Sequence, residues 1–256
     1  MPWDPDQYLR FAAERTLPFR HLVAAVDHLD PRIVVDLGCG PGGLTATLLE
    51  RWPAAQIVGV DASEEMIVHA QRRVVSGRLV FEIGDVLTWA APEPVDVMLA
   101  NACFHWIDDH RRLFDHLLPQ LTGDGVLAFQ VPANHTEPSH TILGELCSSP
   151  RWSEWLDGLP TTGVREPEWY IEELSGRALE ATAWQTTFFH SLKGDDSVLE
   201  WVRGTTLRPV IEWLPEDEHA GFLDEYGALL RDAYPSRDGN TIFPFKRTFI
   251  CAVKRS

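Results

Sequence analysis

Short apolar runs alternate with helical patterns through the first half of the chain, and this alternation limits the possible folds more than any other feature. A helix is predicted at residues 4–29. Five runs of almost continuous hydrophobicity follow it, at residues 32–37, 56–61, 79–83, 95–102 and 125–131. Such runs are typical of strands that are buried on both faces of a parallel sheet. We therefore predict an α/β fold with a doubly wound, mostly parallel sheet.

The second half of the chain carries long segments between its predicted strands. Two further strands are predicted at residues 186–192 and 248–254, and helical patterns lie between them at 196–203 and 215–234. Segments of this length usually build lids or substrate walls when they connect neighbouring strands of a compact sheet. We predict a single domain over residues 1–256, in which helical insertions at 134–176 and 193–247 form a substrate cap.

A glycine-rich turn directly follows the first predicted strand. Gly38, Gly40 and Gly43 fit the spacing GxGxxG between a strand and a helix, which is typical of a nucleotide-phosphate loop. Asp36 stands two residues before the first glycine, and its carboxylate repels a pyrophosphate. The same carboxylate attracts a ligand with an ammonium or sulfonium group, such as S-adenosylmethionine. Gly38 and Gly40 let the backbone approach the methionine part of that cofactor, where a Cβ would collide.

Polar residues also follow the next predicted strands. Asp61 ends the second strand, where a carboxylate accepts both ribose hydroxyls of either NAD or S-adenosylmethionine. Asp85 and Val86 follow the third strand and suit the adenine amino group and ring, and Asn101 ends the fourth strand beside the expected methyl group. Each residue alone is also typical of a turn or cap. Together they lie at the edge where open parallel sheets bind ligands, so we predict S-adenosylmethionine as the cofactor.

The charge balance excludes several classes of partner. With 22 Lys+Arg against 38 Asp+Glu, the net charge is -16, which repels nucleic-acid backbones and anionic membrane surfaces. No stretch reaches the roughly 18–20 apolar residues of a membrane span, and the acidic start of the chain lacks a cationic leader, so a cytoplasmic location is predicted. No metal is predicted, because the histidines lack a ligand spacing such as HExxH. The oligomeric state is left open, and a monomer is compatible with the sequence.

Several motifs outside the glycine loop carry a resemblance to a known family. They are RWPAAQIVGVD at residues 51–61, Ala100–Ala102 followed by Trp106 and His110, Glu137–Pro138 with His140, the segment from Trp201 to Pro209, and Arg247 with Phe249. Over nearly its whole length the chain resembles the class I methyltransferases, and more closely the trans-aconitate 2-methyltransferases. The resemblance implies a seven-stranded Rossmann-like sheet and formation of a methyl ester on a carboxylate of a small tricarboxylic acid, with trans-aconitate expected first. Methylation of another small molecule is the alternative.

The resemblance also implies which residues hold the substrate. A carboxylic acid with a reference pKa of about 4 is ionised at neutral pH, so no catalytic acid or base is predicted. We expect the enzyme to accelerate the reaction mainly by positioning the substrate against the methyl group. The candidates for binding the substrate are Arg203, Arg208, Lys246, Arg247, His105 and Trp106. The basic residues are equally interpreted as surface charges, and the His–Trp pair as structural.

Two residues near the start complete the predicted cofactor site. Arg15 is a candidate for binding the cofactor's own carboxylate, and Tyr8 for closing over its methionine end. An ion pair on the helix face explains Arg15 equally well, and core packing explains Tyr8.

Three other functions are weighed against this prediction. A nicotinamide-dependent dehydrogenase fits the glycine spacing but not Asp36. A methyltransferase for exocyclic amines of nucleic-acid bases requires two prolines and an aromatic residue after the Asn, whereas Asn101 is followed by Ala102, Cys103 and Phe104. A non-catalytic cofactor-binding module is disfavoured by the preserved segment at 201–209.

Overall fold

The computed structural model describes residues 12–27, 30–159 and 163–255, with side chains described from Thr16 onward. They form two compact units. The larger unit contains the described residues of Pro2–Pro132, Thr162–Thr186 and Arg247–Ser256, and the smaller unit contains those of Ala133–Thr161 and Thr187–Lys246.

Seven strands and ten helices are described in chain order. They are α1 Ala12–Ala24, β1 Ile33–Leu37, α2 Gly43–Arg51, β2 Gln56–Asp61, α3 Glu64–Ala70, β3 Leu79–Ile83, β4 Val95–Asn101, α4 His110–Leu117, β5 Leu121–Pro132, α5 Pro138–Cys147, α6 Ser153–Leu156, α7 Pro167–Ser175, β6 Leu179–Lys193, α8 Ser197–Arg203, α9 Arg208–Trp213, α10 His219–Ala233 and β7 Asn240–Lys254. Among these described helices, none is both long and apolar enough to cross a membrane. The cytoplasmic location stays a prediction.

The strands form one sheet in the order β3-β2-β1-β4-β5-β7-β6. All neighbouring strands among β1 to β5 are parallel to each other, and β7 pairs antiparallel with β5. The chain moves outward from β1 to β2 and β3, and then crosses back to β4 on the other side of β1. Ligands of open α/β sheets bind at such a reversal, beyond the carboxyl ends of the strands. The predicted seven-stranded, mostly parallel α/β fold is confirmed.

The core of the larger unit explains why the central strands are apolar throughout. Every residue of β1 is buried, because helices cover both faces of a parallel sheet. Helix α7 contributes Tyr170 and Leu174, both fully buried, to the same core. The ring of Tyr170 lies edge-on to Phe129 of β5, with 5.3 Å between centroids. Residues 163–176 therefore pack with the sheet unit. The substrate cap that we predicted at 134–176 stays a prediction.

Several boundaries of strands and helices are explained by residues close to them in the sequence. Strands β2 and β3 have the predicted bounds, and the Ser63 side chain caps α3 by accepting a hydrogen bond from the Met66 N–H. Helix α4 ends at Leu117. A 3-10 turn at Leu118–Gln120 follows, because Pro119 has no N–H to continue the helical ladder.

The remaining differences concern the second half of the chain. Strands β5, β6 and β7 each begin several residues before the predicted start, in segments that mix polar or exposed residues with buried apolar ones. Helices α5, α6, α7 and α9 were not predicted individually within the long segments. Residues 4–11 and 28–29 of the predicted first helix lie outside the described residues.

Candidate active site

The turn between β1 and α2 requires glycine for two physical reasons. Gly38, Gly40 and Gly42 have φ values of 70°, 55° and 73°, in the left-handed region that favours glycine. In addition, a Cβ on Gly38 would lie 2.6 Å from both Cβ and Sγ of Cys103. Gly43, the third glycine of the predicted motif, is instead the first residue of α2. The backbone of this turn can therefore approach a ligand closely.

Asp36 lies at the carboxyl end of β1 and is buried, with 2% of its surface exposed. Its Oδ2 accepts a 2.6 Å hydrogen bond from Oγ1 of Thr45 in α2. Burial raises the pKa of Asp36 to about 7, and the bond from Thr45 acts in the opposite direction. The ionised carboxylate is thus costly to hold here, and a nearby cation would stabilise it. Thr45 was not predicted as part of the site, because a lone threonine within a helical pattern carries no distinctive signal.

Asp61 connects the glycine turn to the end of β2. Its Oδ2 accepts a hydrogen bond from the Gly40 N–H at 2.8 Å, and its Oδ1 accepts one from the Ser63 N–H at 2.9 Å. Asp85 is exposed, and its Oδ1 accepts a hydrogen bond from the Leu87 N–H at 2.8 Å. A carboxylate has about four acceptor positions, so both groups retain capacity for a ligand.

The three predicted cofactor carboxylates all lie near enough to Cys103 for their charges to act on its thiol. Cys103, just beyond β4, has a pKa raised to about 12, first by burial and then by the negative charges of Asp61, Asp36 and Asp85. Side chains from three separate strand ends therefore create a negative potential at this edge of the sheet. Such a potential suits a cationic ligand and opposes a pyrophosphate.

A chain of hydrogen bonds links three strands on one face of the sheet. Arg247 of β7 is 4% exposed, and its Nη1 donates to Oε1 of Gln130 at 3.0 Å. Nε2 of Gln130 in turn donates to Oδ1 of Asn101 at 2.8 Å. Asn101 and Gln130 are register partners of β4 and β5. The structure thus brings Arg247 and Asn101 together through a glutamine that we did not predict, although its polar side chain interrupts the apolar run of β5.

His105 and Trp106 lie in a 3-10 turn that follows β4. Their ring centroids are 4.6 Å apart, and Trp106 is exposed. Nδ1 of His105 is buried and has no hydrogen-bond partner among the described residues. Burial and, to a smaller extent, the positive charge of Arg247 lower the pKa of His105 to about 3. The imidazole is therefore neutral near pH 7, with one ring nitrogen available to a ligand.

This turn is held in place by a second buried network. Nε2 of His110 lies 2.9 Å from the Phe104 carbonyl oxygen, so this nitrogen carries the hydrogen. Nδ1 of His110 then accepts a hydrogen bond from the hydroxyl of Tyr170 at 3.0 Å, and the same hydroxyl accepts one from the Arg165 N–H at 3.2 Å. Helices α4 and α7 therefore fix the turn that carries His105.

The other predicted basic residues lie in the smaller unit, and each has an acidic neighbour. Arg203 donates to Glu200 at 3.1 Å, Arg208 to Glu212 at 3.4 Å, and Nζ of Lys246 lies 3.0 Å from Glu137. Tyr8 and the side chain of Arg15 lie outside the described part of the chain. The substrate role of the three basic residues and the cofactor role of Tyr8 and Arg15 stay predictions.

The residues at the sheet edge fit S-adenosylmethionine. The glycine cradle has no room for a Cβ at Gly38, and the convergent carboxylates match the positive charges of a sulfonium and an ammonium group. Val86, half-buried and packed against the core, lies next to Asp85 as an adenine contact requires. Within the described residues, no group of three or more His, Cys, Asp or Glu side chains is arranged to hold a metal ion.

Comparison with solved structures supports the same fold. The YcgJ protein of Bacillus subtilis superimposes with a TM-score of 0.61 and 18% identity, covering 94% of this chain and 99% of that chain. An N-methyltransferase of Haemonchus contortus in complex with S-adenosylhomocysteine superimposes with a TM-score of 0.54 and 15% identity, covering 95% of this chain and 53% of that one.

Comparison with protein sequences gives much higher identity. A family model described as a methyltransferase domain matches residues 34–125. The trans-aconitate 2-methyltransferase of Streptomyces coelicolor is 44% identical, covering 98% of this chain and 86% of that protein. The enzymes of that name from Azoarcus sp. and Klebsiella pneumoniae are 43% and 39% identical, each over 98% of this chain. With such identity over nearly the full length, the chain belongs to the trans-aconitate 2-methyltransferase family.

Proposed function

We propose that this protein transfers the methyl group of S-adenosylmethionine to a carboxylate of trans-aconitate, forming a methyl ester. The observation that carries the proposal is the buried guanidinium of Arg247, which is hydrogen-bonded to a neutral amide beside the strand ends of the larger unit. A buried positive charge there attracts a carboxylate anion. The curated relatives with the name trans-aconitate 2-methyltransferase support the same substrate.

The cofactor supplies a methyl group activated by a positively charged sulfur. Asp36, Asp61 and Asp85 provide the negative edge that favours this cation, and the glycine turn allows close approach of the backbone. We assign the ribose hydroxyls to Asp61 and the adenine amino group to Asp85, because each carboxylate keeps free acceptor positions beyond its backbone bond. Asn101 lies at the end of β4, where its amide faces the reaction.

The acceptor carboxylates are held by Arg247 and by the neutral imidazole of His105. Arg247 supplies the positive charge. His105 donates a hydrogen bond to the substrate from Nδ1–H, and this gives its buried Nδ1 the partner that it has not got among the described residues. The substrate carboxylate is already ionised near neutral pH, so its oxygen would accept the methyl group without a general base, while the bond from the methyl group to sulfur breaks and S-adenosylhomocysteine leaves as a neutral thioether. Attack joins an anion to a cation, and burial of the site favours the less charged transition state.

Arg203, Arg208 and Lys246 form a second set of candidate substrate contacts. Each faces an acidic side chain of its own unit, so substrate binding requires a carboxylate of the substrate to replace that neighbour. Binding of another small acid by these residues is the alternative function, because the contacts recognise carboxylates in general.

The proposal is tested by incubating the purified protein with methyl-labelled S-adenosylmethionine and a panel of small di- and tricarboxylates. We expect base-labile methyl esters on trans-aconitate at a higher kcat/KM than on any other acid of the panel. Preferential labelling of a different acid contradicts the assigned substrate, and the absence of label on every acid contradicts carboxyl methylation. Arg247→Lys, which keeps the charge but not the planar fork, is expected to raise the KM for the substrate about tenfold.

A further inference from the structure

Gln130 is the fully buried centre of the hydrogen-bond chain between Arg247 and Asn101. A guanidinium has donors and no acceptor, so only the oxygen of the Gln130 amide can face Arg247. The NH2 group of Gln130 must then face Asn101, and it requires the oxygen of the Asn101 amide as its acceptor. The charge of Arg247 therefore dictates the orientation of two successive amides.

The consequence for Asn101 is chemical. Its oxygen is occupied by Gln130, so its NH2 group is the part of the amide that remains to meet a ligand at the end of β4. The backbone carbonyl of Gln130 also accepts a hydrogen bond from the N–H of Ala102 at 3.0 Å. Ala102 has a φ of 54°, a conformation that is costly for a residue with a side chain. Gln130 therefore supports both the Asn101 side chain and the strained turn that leads to His105.

We propose that Gln130 is a positioning residue for methyl transfer, which holds Arg247 ready for a substrate carboxylate and turns the Asn101 NH2 group toward the reacting groups. This inference rests on the proposed function and adds a residue that touches neither substrate nor cofactor. It explains a fully buried amide within the apolar run at residues 126–131 of β5, because both ends of that amide are bonded to residues of the predicted site.

Two substitutions separate positioning from mere packing. Gln130→Glu preserves the shape of the side chain but places a carboxylate against Arg247 and removes the donor to Asn101. The new carboxylate competes with the substrate for Arg247, and Asn101 reverses its amide to donate to it. Gln130→Met removes both hydrogen bonds without adding charge. We expect the KM for trans-aconitate to rise at least tenfold in Gln130→Glu and severalfold in Gln130→Met, with kcat lowered in both.

Gln120 offers a matched control within the same unit. It is a half-buried glutamine whose Oε1 accepts from the Ala91 N–H at 2.8 Å and whose Nε2 donates to the His116 carbonyl at 3.1 Å. Gln120→Glu makes the same chemical change away from the site, so it is expected to leave KM and kcat within twofold of the wild type. Thermal unfolding of all three variants reports whether the fold is kept.

The experiment combines steady-state kinetics with calorimetric titration of S-adenosylhomocysteine. If the wild type does not methylate trans-aconitate, the proposed function fails, and the variants are compared on the acid that it does accept. If it accepts none, the affinity for S-adenosylhomocysteine alone tests the inference, and we expect it to fall at least threefold in Gln130→Glu as Asn101 reverses. Wild-type KM and affinity in a folded Gln130→Glu protein would overturn the inference, as would equal losses in Gln120→Glu.

Discussion

Asp36 is a buried carboxyl group whose ionisation opposes the fold, since burial raises its pKa from 3.8 to about 7. The folded state therefore binds a proton more tightly than the unfolded state does. The resulting contribution to stability is complete below about pH 4 and is lost as the pH rises through about 7. Asp36→Asn keeps an acceptor for Thr45 but cannot ionise.

We therefore expect Asp36→Asn to unfold at higher urea concentration than the wild type at pH 8, and at a similar concentration at pH 4. The pKa change corresponds to an upper limit of about 4 kcal/mol. The measurement is urea unfolding of both proteins without cofactor. The variant should also bind S-adenosylmethionine more weakly at pH 8, because it lacks the charge that attracts a cation. A stability difference that is the same at both pH values would show that Asp36 does not ionise in this range.

Arg208 separates the two interpretations of the basic residues in the smaller unit. If it binds the substrate, Arg208→Ala raises the KM for trans-aconitate at least tenfold and leaves the affinity for S-adenosylhomocysteine unchanged. The loss of a charged hydrogen bond, about 1.5–3 kcal/mol, supports this magnitude. Arg231→Ala is the control, because Arg231 also pairs with an acid, Asp196, in the smaller unit. Equal kinetics in the two variants would identify Arg208 as an ordinary ion-pair residue.

At the scale of a structural element, the glycines of the turn between β1 and α2 differ in how strictly the structure requires them. Gly38 combines a positive φ with a Cβ position 2.6 Å from Cys103, whereas a Cβ on Gly43 meets only the flexible Arg73 side chain, at 3.9 Å or more. Gly38→Ala should therefore cost about 1–3 kcal/mol of stability and weaken S-adenosylhomocysteine binding at least tenfold. Gly43→Ala lies at the start of α2 and should be neutral or slightly stabilising. Denaturant unfolding and calorimetry measure both effects, and similar losses in the two variants would refute the distinction.

At the scale of the whole molecule, cofactor binding should be visible in global stability. A ligand that binds only the folded state at 100 times its dissociation constant adds about 2.7 kcal/mol. We expect S-adenosylmethionine and S-adenosylhomocysteine to raise the Tm by several degrees in a thermal unfolding scan, and NAD to leave it unchanged. A rise with NAD alone would contradict the assignment that rests on Asp36 and the glycine turn.

The parallel half of the sheet was predictable because its strands are local features. β2 and β3 were found at their predicted bounds, because short, nearly continuous apolar runs that end at glycine or polar residues are typical of strands. The start of β6 alternates exposed polar residues with buried or partly buried apolar ones and has no continuous apolar run, so that strand was predicted too short. Two unpredicted helices of the smaller unit are short: α9 has six residues and α6 has four, which is too few for a helical period to be recognised.

The sequence by itself determined the positions of Asp36, Asp61, Asp85 and Asn101, because each lies at or just beyond the carboxyl end of a recognisable strand and parallel strands share one ligand-binding edge. Only the tertiary structure decided what Arg247 does. Its partner Gln130 is 117 residues away in the chain, and the two meet because the last strand inserts antiparallel beside β5. The spacing of residues in the sequence does not predict such a pairing. Hydrogen bonds across a sheet depend on strand order and register, and packing of the whole chain selects both.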